Sequence, residues 1–158
     1  MQKITTCLWF DDKAEEAANF YVSIFPNSKV VGVARYGDAG PGPAGSIMTV
    51  AFELDGRQFV ALNGGPLFPF TEAISLMVNC ETQKEIDHYW ERLGAGGKIQ
   101  QCGWLKDRYG LSWQVVPALL ATEMRKTKDP ERLNRVMKVV LSSVKFDIRK
   151  VQEAFAGD

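Results

Sequence analysis

Hydrophobic and polar positions along the first part of the chain predict a strand, a helix and three further strands. Residues 4–10 are mostly apolar, aromatic or β-branched, which is typical of a strand buried on at least one face. Asp12 and Glu15 have the spacing of a helix N-cap with an acidic first turn, and apolar residues follow at helical spacing to Phe25. Strands are predicted over 29–36, 46–54 and 57–63, and Asp55-Gly56 between the last two is a hairpin signal.

The same order of elements returns after the glycine- and proline-rich stretch 64–70. A strand over 74–80 precedes Thr82 and Glu85, which form a capping box before an amphipathic helix that ends at 93–97. Strands over 98–102, 104–106 and 111–116 follow. A displacement of 69 superposes the first strand and helix of the two copies, and a displacement of 54 superposes their last strands. The pattern therefore predicts a tandem βαβββ repeat.

The remainder of the chain is helical in type. Helices are predicted over 118–124 and 148–155, and a third begins at Asp129 as N-cap with Pro130 in the first helical position. The expected fold class is α+β with a C-terminal helical segment. We expect one domain over 1–158, made of module one (1–63), a connector (64–72), module two (73–117) and C-terminal helices (118–158).

Composition excludes several classes of partner and chemistry. The chain has 19 basic and 19 acidic side chains, so no net charge attracts nucleic acid or an anionic membrane. It has one histidine, which excludes a metal centre built from several imidazoles of one chain. No leader or membrane span is predicted. Cys7, Cys80 and Cys102 have no CxxC spacing and are expected to be buried, reduced thiols of a cytoplasmic protein.

The tandem units resemble the vicinal-oxygen-chelate superfamily. The resemblance rests on Asp11-Asp12 after the first strand and on the phrases AEEAANFYVSIFPNSKV (14–30) and CGWLKDRYGLSWQVVP (102–117), and it extends to DPERLNRVMKVVLSSVKFDIRKVQEAF (129–155). These phrases are most similar to the PhnB-like branch, often labelled demethylubiquinone methyltransferase-like. The resemblance implies that each unit curls into a partly closed cup, that two units surround a cleft, and that the protein is a homodimer.

In metal-using relatives, the resemblance implies a histidine early in the first strand of each module and a glutamate or similar ligand on the last strand. Those positions fall here on Thr5 or Thr6, Ile74 or Ser75, Val60 or Ala61, and Gln114. None supplies a carboxylate, imidazole or thiolate, whereas a divalent ion with open positions needs several such donors. We therefore expect no metal ion and no cofactor.

Other catalytic chemistries are poorly supported by the sequence. A nucleotide-type cofactor requires a glycine-rich turn that follows a strand and opens a helix. The stretch at 94–97 instead follows a helix, and the stretch at 37–45 precedes a strand. The histidine, His88, is expected on a solvent-facing helix surface, so the cysteines lack a base. Asp107 is expected to be a turn residue, although a carboxylate pair with Glu53 or Glu72 stays open.

The strands of the repeat also supply a mostly apolar set of side chains with a few neutral polar groups. Such a set is typical of a small-molecule cavity, although Trp113 and Met77 are equally consistent with core packing. The favoured hypothesis is a metal-free protein that binds a small, partly apolar or aromatic molecule, with catalysis undecided. The alternatives are a metal-dependent lyase, isomerase or dioxygenase, and an interaction protein whose cleft is filled. The candidate ligand-binding residues are Trp9, Asn63, Ser75, Met77, Trp104, Trp113 and Gln114.

Overall fold

The computed structural model describes residues 1–157, and the chain divides into two compact units, Met1–Phe70 and Thr71–Asp158. The first unit consists of β1 (Thr6–Phe10), α1 (Ala14–Ile24), β2 (Lys29–Arg35), β3 (Ile47–Leu54) and β4 (Arg57–Asn63). The second unit consists of β5 (Ser75–Cys80), α2 (Gln83–Gly94), β6 (Lys98–Ile99), β7 (Trp104–Lys106), β8 (Ser112–Pro117), α3 (Ala118–Lys126), α4 (Pro130–Ser142) and α5 (Ile148–Ala156).

The predicted repeat is present as two four-stranded sheets with the same strand order. The first sheet has the order β1-β4-β3-β2, and the second has the order β5-β8-β7-β6. In each sheet the first strand pairs in parallel with the last strand, while the other pairs are antiparallel. The α+β class and the βαβββ order of both copies are therefore confirmed.

One face of the first sheet packs against α1. Tyr21 of α1 stacks on Phe52 with ring centroids 6.3 Å apart, and Phe52 stacks on Phe59 at 5.4 Å. These aromatic side chains are at least 95% buried. The hairpin between β3 and β4 turns at Asp55 and Gly56, with φ of 49° and 76°, the conformation that an Asp-Gly pair favours. This hairpin fixes the register of β4, the strand that pairs with both β1 and β3.

The second sheet packs in the same way against α2. Ile86 and Leu93 of α2, with Leu105 and Val115 of the sheet, are completely buried. The predicted capping box is confirmed, because the Thr82 side chain accepts from the Glu85 amide and the Glu85 carboxylate accepts from the Thr82 amide. Satisfying these first-turn amides fixes the start of α2 directly after β5.

The two copies differ by one residue in the turn between first strand and helix. Three residues separate Phe10 from Ala14, and two separate Cys80 from Gln83. A displacement of 69 therefore superposes the helices, whereas the first strands correspond at a displacement of 70. The predicted Asp12 N-cap is wrong, because α1 begins one residue later, after Lys13, which makes no side-chain cap. Asn63 Oδ1 instead accepts from the Ala14 amide at 2.8 Å.

The C-terminal helices are fixed to the second unit through the segment before α5. Phe146 is 1% exposed, and the Gln83 side chain donates to the Phe146 carbonyl and accepts from the Ile148 amide. The amides of Cys102 and Gly103 donate to the carbonyls of residues 143 and 144 at 2.8 Å each. Cys102 has a positive φ of 59° and lies in the turn before β7, and the predicted strand over 98–102 is confirmed only for 98–99.

The predicted start of α4 is confirmed, because the Asp129 side chain accepts from the Glu131 amide and Pro130 occupies the first turn. Within residues 1–157 no helix is long and apolar enough to cross a membrane.

Candidate functional site

The structure divides the seven candidate residues between the two faces of each sheet. We call the face that packs against α1 or α2 the helix face, and the opposite side the far face. Side chains alternate between these faces along a strand, so the strand register assigns each residue. The far face of the second sheet carries Ser75, Met77, Trp104 and Gln114, because Gln114 pairs with Met77 on one side and Trp104 on the other.

These four residues form a small patch with a polar centre. Gln114 Nε2 donates to Ser75 Oγ at 2.8 Å, and both side chains are half-buried. Met77 is 53% exposed, and Trp104 is partly exposed. The patch therefore offers an aromatic ring, a flexible thioether and a neutral amide–hydroxyl pair, a combination that binds small molecules through apolar contact with a few oriented hydrogen bonds.

Trp113 does not belong to this patch. It pairs with Leu76 and Leu105 on the helix face and is 2% exposed. Its indole Nε1 donates to Asp107 Oδ2 at 2.9 Å, so its polar atom is also satisfied inside the protein. The placement of Trp113 among ligand-binding residues is corrected, because the residue packs in the core as the strand alternation requires.

Asn63 lines a cleft of about 630 Å³ in the first unit, but its polar atoms are used within the protein. Its Oδ1 accepts from the Ala14 amide, its Nδ2 donates to the Ile47 carbonyl at 3.2 Å, and its carbonyl accepts from the Tyr36 hydroxyl at 2.6 Å. Asn63 lies on the helix face at the end of β4 and joins three segments of the unit. The half-buried Asn63 amide is therefore explained by structural hydrogen bonds. The cleft is also lined by Asp11, Asp12, Glu15 and Glu16.

Trp9 lies on the far face of the first sheet. Its indole Nε1 donates to the Gly65 carbonyl at 2.9 Å, and its ring packs edge-on against Phe68 with centroids 5.0 Å apart. Phe68 is itself 59% exposed. Trp9 therefore anchors the start of the connector on its own sheet, in a different unit from the Gln114 patch.

The residues at the family's metal positions do not fit a metal ion. Register places Val60 and Gln114 on the far faces, whereas Ala61 is buried on the helix face. Ser75 and Gln114 offer a hydroxyl and an amide that already bond each other, and Val60 offers no donor. No group of three or more histidine, cysteine, aspartate or glutamate side chains within residues 1–157 is arranged to hold a metal. Protein sites for divalent ions usually contain several carboxylate, imidazole or thiolate donors, so this donor set does not suit them.

The cysteines are only partly buried. Cys80 is buried, and desolvation followed by the nearby carboxylates of Glu85 and Glu81 raises its pKa to about 12. Cys102 is half-buried, and Cys7 is exposed on the far face of β1, so the expectation that all three are buried is wrong. Partial desolvation nevertheless raises the pKa of the Cys7 thiol. The raised pKa values of Cys7 and Cys80 do not favour the thiolate form that a nucleophile requires.

The carboxylates and the histidine have ordinary structural roles. Asp107 is 3% exposed, and its Oδ1 accepts from the amides of Tyr109 and Leu111, which confirms its assignment to a turn. Glu53 forms an ion pair with Lys29, and Glu72 forms one with Lys106. His88 is exposed on α2, as predicted, with its ring 4.9 Å from that of Tyr89.

Three polar residues beside the Gln114 patch, Ser112, Lys106 and Glu72, are not among the predicted ligand-binding residues. Ser112 lies two positions before Gln114 and pairs with Ser75 and Lys106, so these three cross the sheet in one row of the far face. Lys106 forms an ion pair with Glu72, and the hydrogen bond from Lys106, together with its positive charge, lowers the pKa of Glu72. The alternation of side chains along β8 would have placed Ser112 on the same face as Gln114. The positions of Lys106 and Glu72 beside the patch could not be predicted in this way, because they depend on the register between strands.

Comparison with solved structures places the fold among known proteins. A Bacillus cereus protein labelled PhnB and 3-demethylubiquinone-9 3-methyltransferase is 43% identical, with a TM-score of 0.68 over 74% of this chain and 100% of that chain. Protein PA1353 from Pseudomonas aeruginosa is 22% identical, with a TM-score of 0.60 over 73% and 96%. The fosfomycin resistance protein FosX from Listeria monocytogenes, solved with Mn(II) and sulfate, is 16% identical, with a TM-score of 0.53 over 80% and 98%.

Comparison with curated proteins gave no match. The family model described as 3-demethylubiquinone-9 3-methyltransferase matches residues 2–116, which include both βαβββ copies and exclude α3, α4 and α5. The strand order, the parallel pairing of first and last strands, and these matches agree with one another. The chain belongs to this PhnB-like family, and its fold is that of the vicinal-oxygen-chelate proteins.

Proposed function

We propose that this protein binds a small, partly aromatic or apolar molecule on the far face of its second sheet without using a metal ion. The observation that carries the proposal is the hydrogen-bonded pair Gln114–Ser75. It occupies two positions where metal-using relatives are expected to hold ligands, and it lies beside Trp104 and Met77. A neutral amide, a hydroxyl and an aromatic ring orient an organic ligand, whereas they bind a divalent ion poorly.

The methyltransferase description of the family is not part of this proposal. The glycine-rich stretch at 94–97 ends α2, and the stretch at 37–45 leads into β3. Neither makes the turn from a strand into a helix N-terminus that brings backbone amides to a nucleotide-type cofactor. Each sheet also has a single parallel strand pair, unlike a doubly wound sheet.

The proposed assembly is a cytoplasmic homodimer. Leu141 of α4 is 66% exposed and Val31 of β2 is 58% exposed, and apolar side chains of this size are stabilised when a second surface covers them. Light scattering coupled to size exclusion tests the dimer and should give twice the 17.6 kDa mass of the chain. A mass of one chain at micromolar concentration would contradict the dimer without affecting the proposed site.

The proposed binding activity is tested by metal analysis and ligand analysis of the same purified sample. Elemental analysis after dialysis should find no stoichiometric divalent metal, and mass spectrometry of the extract should find a copurified organic molecule. Benzyl alcohol then serves as a defined probe, because it has an aromatic ring and one neutral polar group. Its binding should perturb the amide resonances of Trp104 and Gln114 in NMR spectra.

Variants connect the probe to the site. Trp104→Ala and Gln114→Leu should each weaken benzyl alcohol binding, whereas Ile99→Ala should not, because Ile99 is a 44% exposed apolar residue on the neighbouring strand β6. Stoichiometric metal retained through dialysis would favour the metal-dependent enzyme. Failure of both the extract and the probe to show any ligand would favour an interaction protein with a filled cleft.

A further inference from the structure

A row of hydrogen-bond donors crosses the second sheet next to the proposed ligand site. Ser75, Ser112 and Lys106 are Cα partners on the adjacent strands β5, β8 and β7. All three side chains belong to the far face. Neighbouring strands lie about 4.8 Å apart, so an oxyanion placed over the middle strand lies between the Ser75 hydroxyl and the long Lys106 side chain. We call these three residues the donor row.

The middle member of the donor row has no partner within the protein. Ser112 is fully buried, and its Oγ makes no hydrogen bond within the described residues. Buried hydroxyl groups are nearly always paired, so the unpaired Ser112 hydroxyl requires an explanation, and a ligand that supplies the missing acceptor is one. Ser112 lies on the same face as the Gln114–Ser75 pair, two positions along β8.

The other two members of the donor row, Ser75 and Lys106, also retain O–H or N–H groups that can donate to a ligand. Ser75 Oγ accepts from Gln114 Nε2, so the Ser75 proton is directed away from Gln114 and is available for another acceptor. The Lys106 ammonium has three N–H donors and forms an ion pair with Glu72. The two hydroxyl groups and the ammonium of the donor row can therefore donate hydrogen bonds to the oxygen atoms of an oxyanion.

The corresponding row of the first sheet lacks this character. The same register places Gln58 opposite Glu53, at the positions of Ser112 and Lys106. Gln2 stands at the position of Glu72 under the displacement of 70, and it exchanges hydrogen bonds with Gln58 at 3.2 and 3.3 Å. The βαβββ fold therefore does not by itself require the serine and the lysine found at these positions of the second sheet.

Glu72 occupies the place that such a ligand would take. Glu72 precedes β5, Lys106 belongs to β7, and β8 lies between these strands, so their ion pair crosses β8 where Ser112 stands. Glu72 is 51% exposed, so it leaves this position without breaking the core. Its carboxylate is itself an oxyanion held at Lys106.

We propose that the donor row receives an oxyanion of the ligand, a carboxylate or phosphoryl group, which displaces Glu72 from Lys106 while the apolar body of the ligand rests on Trp104. This inference rests on the proposed function, because it assigns a chemical class to the ligand of the same patch. It adds that the natural ligand is an aromatic or apolar anion.

The test compares three probes that share one ring: benzoate, phenyl phosphate and benzyl alcohol. Dissociation constants are measured by NMR titration of the intact protein. Glu72→Gln removes the competing carboxylate and should tighten binding of the anions about threefold, a change typical of an exposed ion pair. Lys106→Met should weaken it about tenfold or more, because a hydrogen bond to a charged group is lost. Comparison of benzoate with phenyl phosphate distinguishes a carboxylate from a phosphoryl ligand.

Ser112→Ala gives a second, independent readout. It should weaken anion binding while leaving the unfolding midpoint unchanged or raised, because the Ser112 hydroxyl has no partner to lose. Lys29→Met is the matched control, since it removes the exposed ion pair with Glu53 on the first sheet. It should leave the binding of all three probes unchanged.

The outcomes separate this inference from the proposed function. If benzyl alcohol binds at Trp104 but the anions bind no better and do not respond to Glu72→Gln or Lys106→Met, the donor row is not an oxyanion site and the proposed function stands. If none of the three probes binds, the proposed function itself fails. Tighter anion binding in Glu72→Gln, lost in Lys106→Met, supports both.

Discussion

Gln114 Nε2 donates to Ser75 Oγ at 2.8 Å across the parallel pair of β8 and β5. Ser75 and Gln114 are 39 positions apart in sequence, and only the register of these strands brings them together. Both side chains are neutral, and each retains hydrogen-bonding capacity after making this bond. The pair gives the second sheet a polar centre that does not depend on a bound ion.

We expect the Gln114–Ser75 hydrogen bond to give a small but measurable coupling free energy between the two side chains. Ser75→Ala and Gln114→Leu should each lower the free energy of unfolding by about 1 kcal/mol, because a half-buried neutral hydrogen bond contributes about that much. The double variant should lose less than the sum of the single losses, and urea unfolding of all four proteins measures the difference. Strictly additive losses would show that the two side chains do not interact in solution.

Asn63→Ala should destabilise the first unit by about 2 kcal/mol. It removes the acceptor that caps the first amide of α1 and the donor to the Ile47 carbonyl. Asn63→Asp keeps the acceptor and should cost less than Asn63→Ala. Urea unfolding measures both, with Asn79→Ala, an exposed residue of β5, as the control. Equal effects of Asn63→Ala and Asn79→Ala would contradict the capping role.

Gly103→Ala should cost at least about 3 kcal/mol, because a Cβ at this residue would lie 2.5 Å from a ring carbon of Phe146 and 2.7 Å from the Val115 carbonyl oxygen. Gly110→Ala is a matched control, since Gly110 also has a positive φ, 87° against 79°, but has open space around it. It should cost about 1 kcal/mol through backbone strain alone. Equal losses in thermal unfolding would show that Phe146 does not pack against Gly103.

The ion pair of Glu72 predicts a dependence on pH. The hydrogen bond and positive charge of Lys106 hold the pKa of Glu72 below its ordinary 4.5, so the carboxylate is more acidic in the folded protein than in the unfolded chain. Its stabilising contribution is complete above about pH 4.5 and is lost as the pH falls through the lower, folded pKa. An NMR titration should find a midpoint below 4.5, and Lys106→Met should move it upward. An unchanged midpoint in that variant would show that Lys106 is not the cause.

Thiol modification should distinguish the three cysteines. Cys7 is exposed and should react first with an alkylating reagent, although its raised pKa makes it slower than an unhindered thiol. Cys80 is buried with a pKa of about 12 and should react only on unfolding. Mass spectrometry of tryptic peptides over time gives the order. Early modification of Cys80 under native conditions would contradict the packing between β5 and α2.

Much of the local structure was predictable because its signals lie within a few residues. The Asp55-Gly56 hairpin, the Thr82–Glu85 capping box, the start of α4 at Asp129 and the turn at Asp107 each depend on hydrogen bonds or backbone preferences of neighbouring residues. The repeat itself was visible for the same reason. The same hydrophobic periodicity occurs twice along the chain.

The candidate site was harder to predict because strand residues alternate between two faces. A change of one residue moves a side chain from the far face to the core. Trp113 and Gln114 are neighbours in sequence, yet one is buried against Asp107 and the other faces Ser75. A shift of one residue also affected the start of α1. Because the turn before α1 has an extra residue, Asp12 is not at the N-cap, and Asn63 of β4 accepts the hydrogen bond from the first amide of the helix.

Periodicity, turn chemistry and residue identity are local properties, and they were enough to predict the tandem βαβββ architecture and the lack of carboxylate, imidazole and thiolate groups at the family's metal positions. Which side chains share a face of a sheet depends on contacts between distant segments. Register between strands that are distant in sequence united Ser75, Ser112 and Lys106 in one row, placed Trp113 in the core, and exposed Cys7. Hydrogen-bonded pairing of the strands sets that register, and no single stretch of sequence contains it.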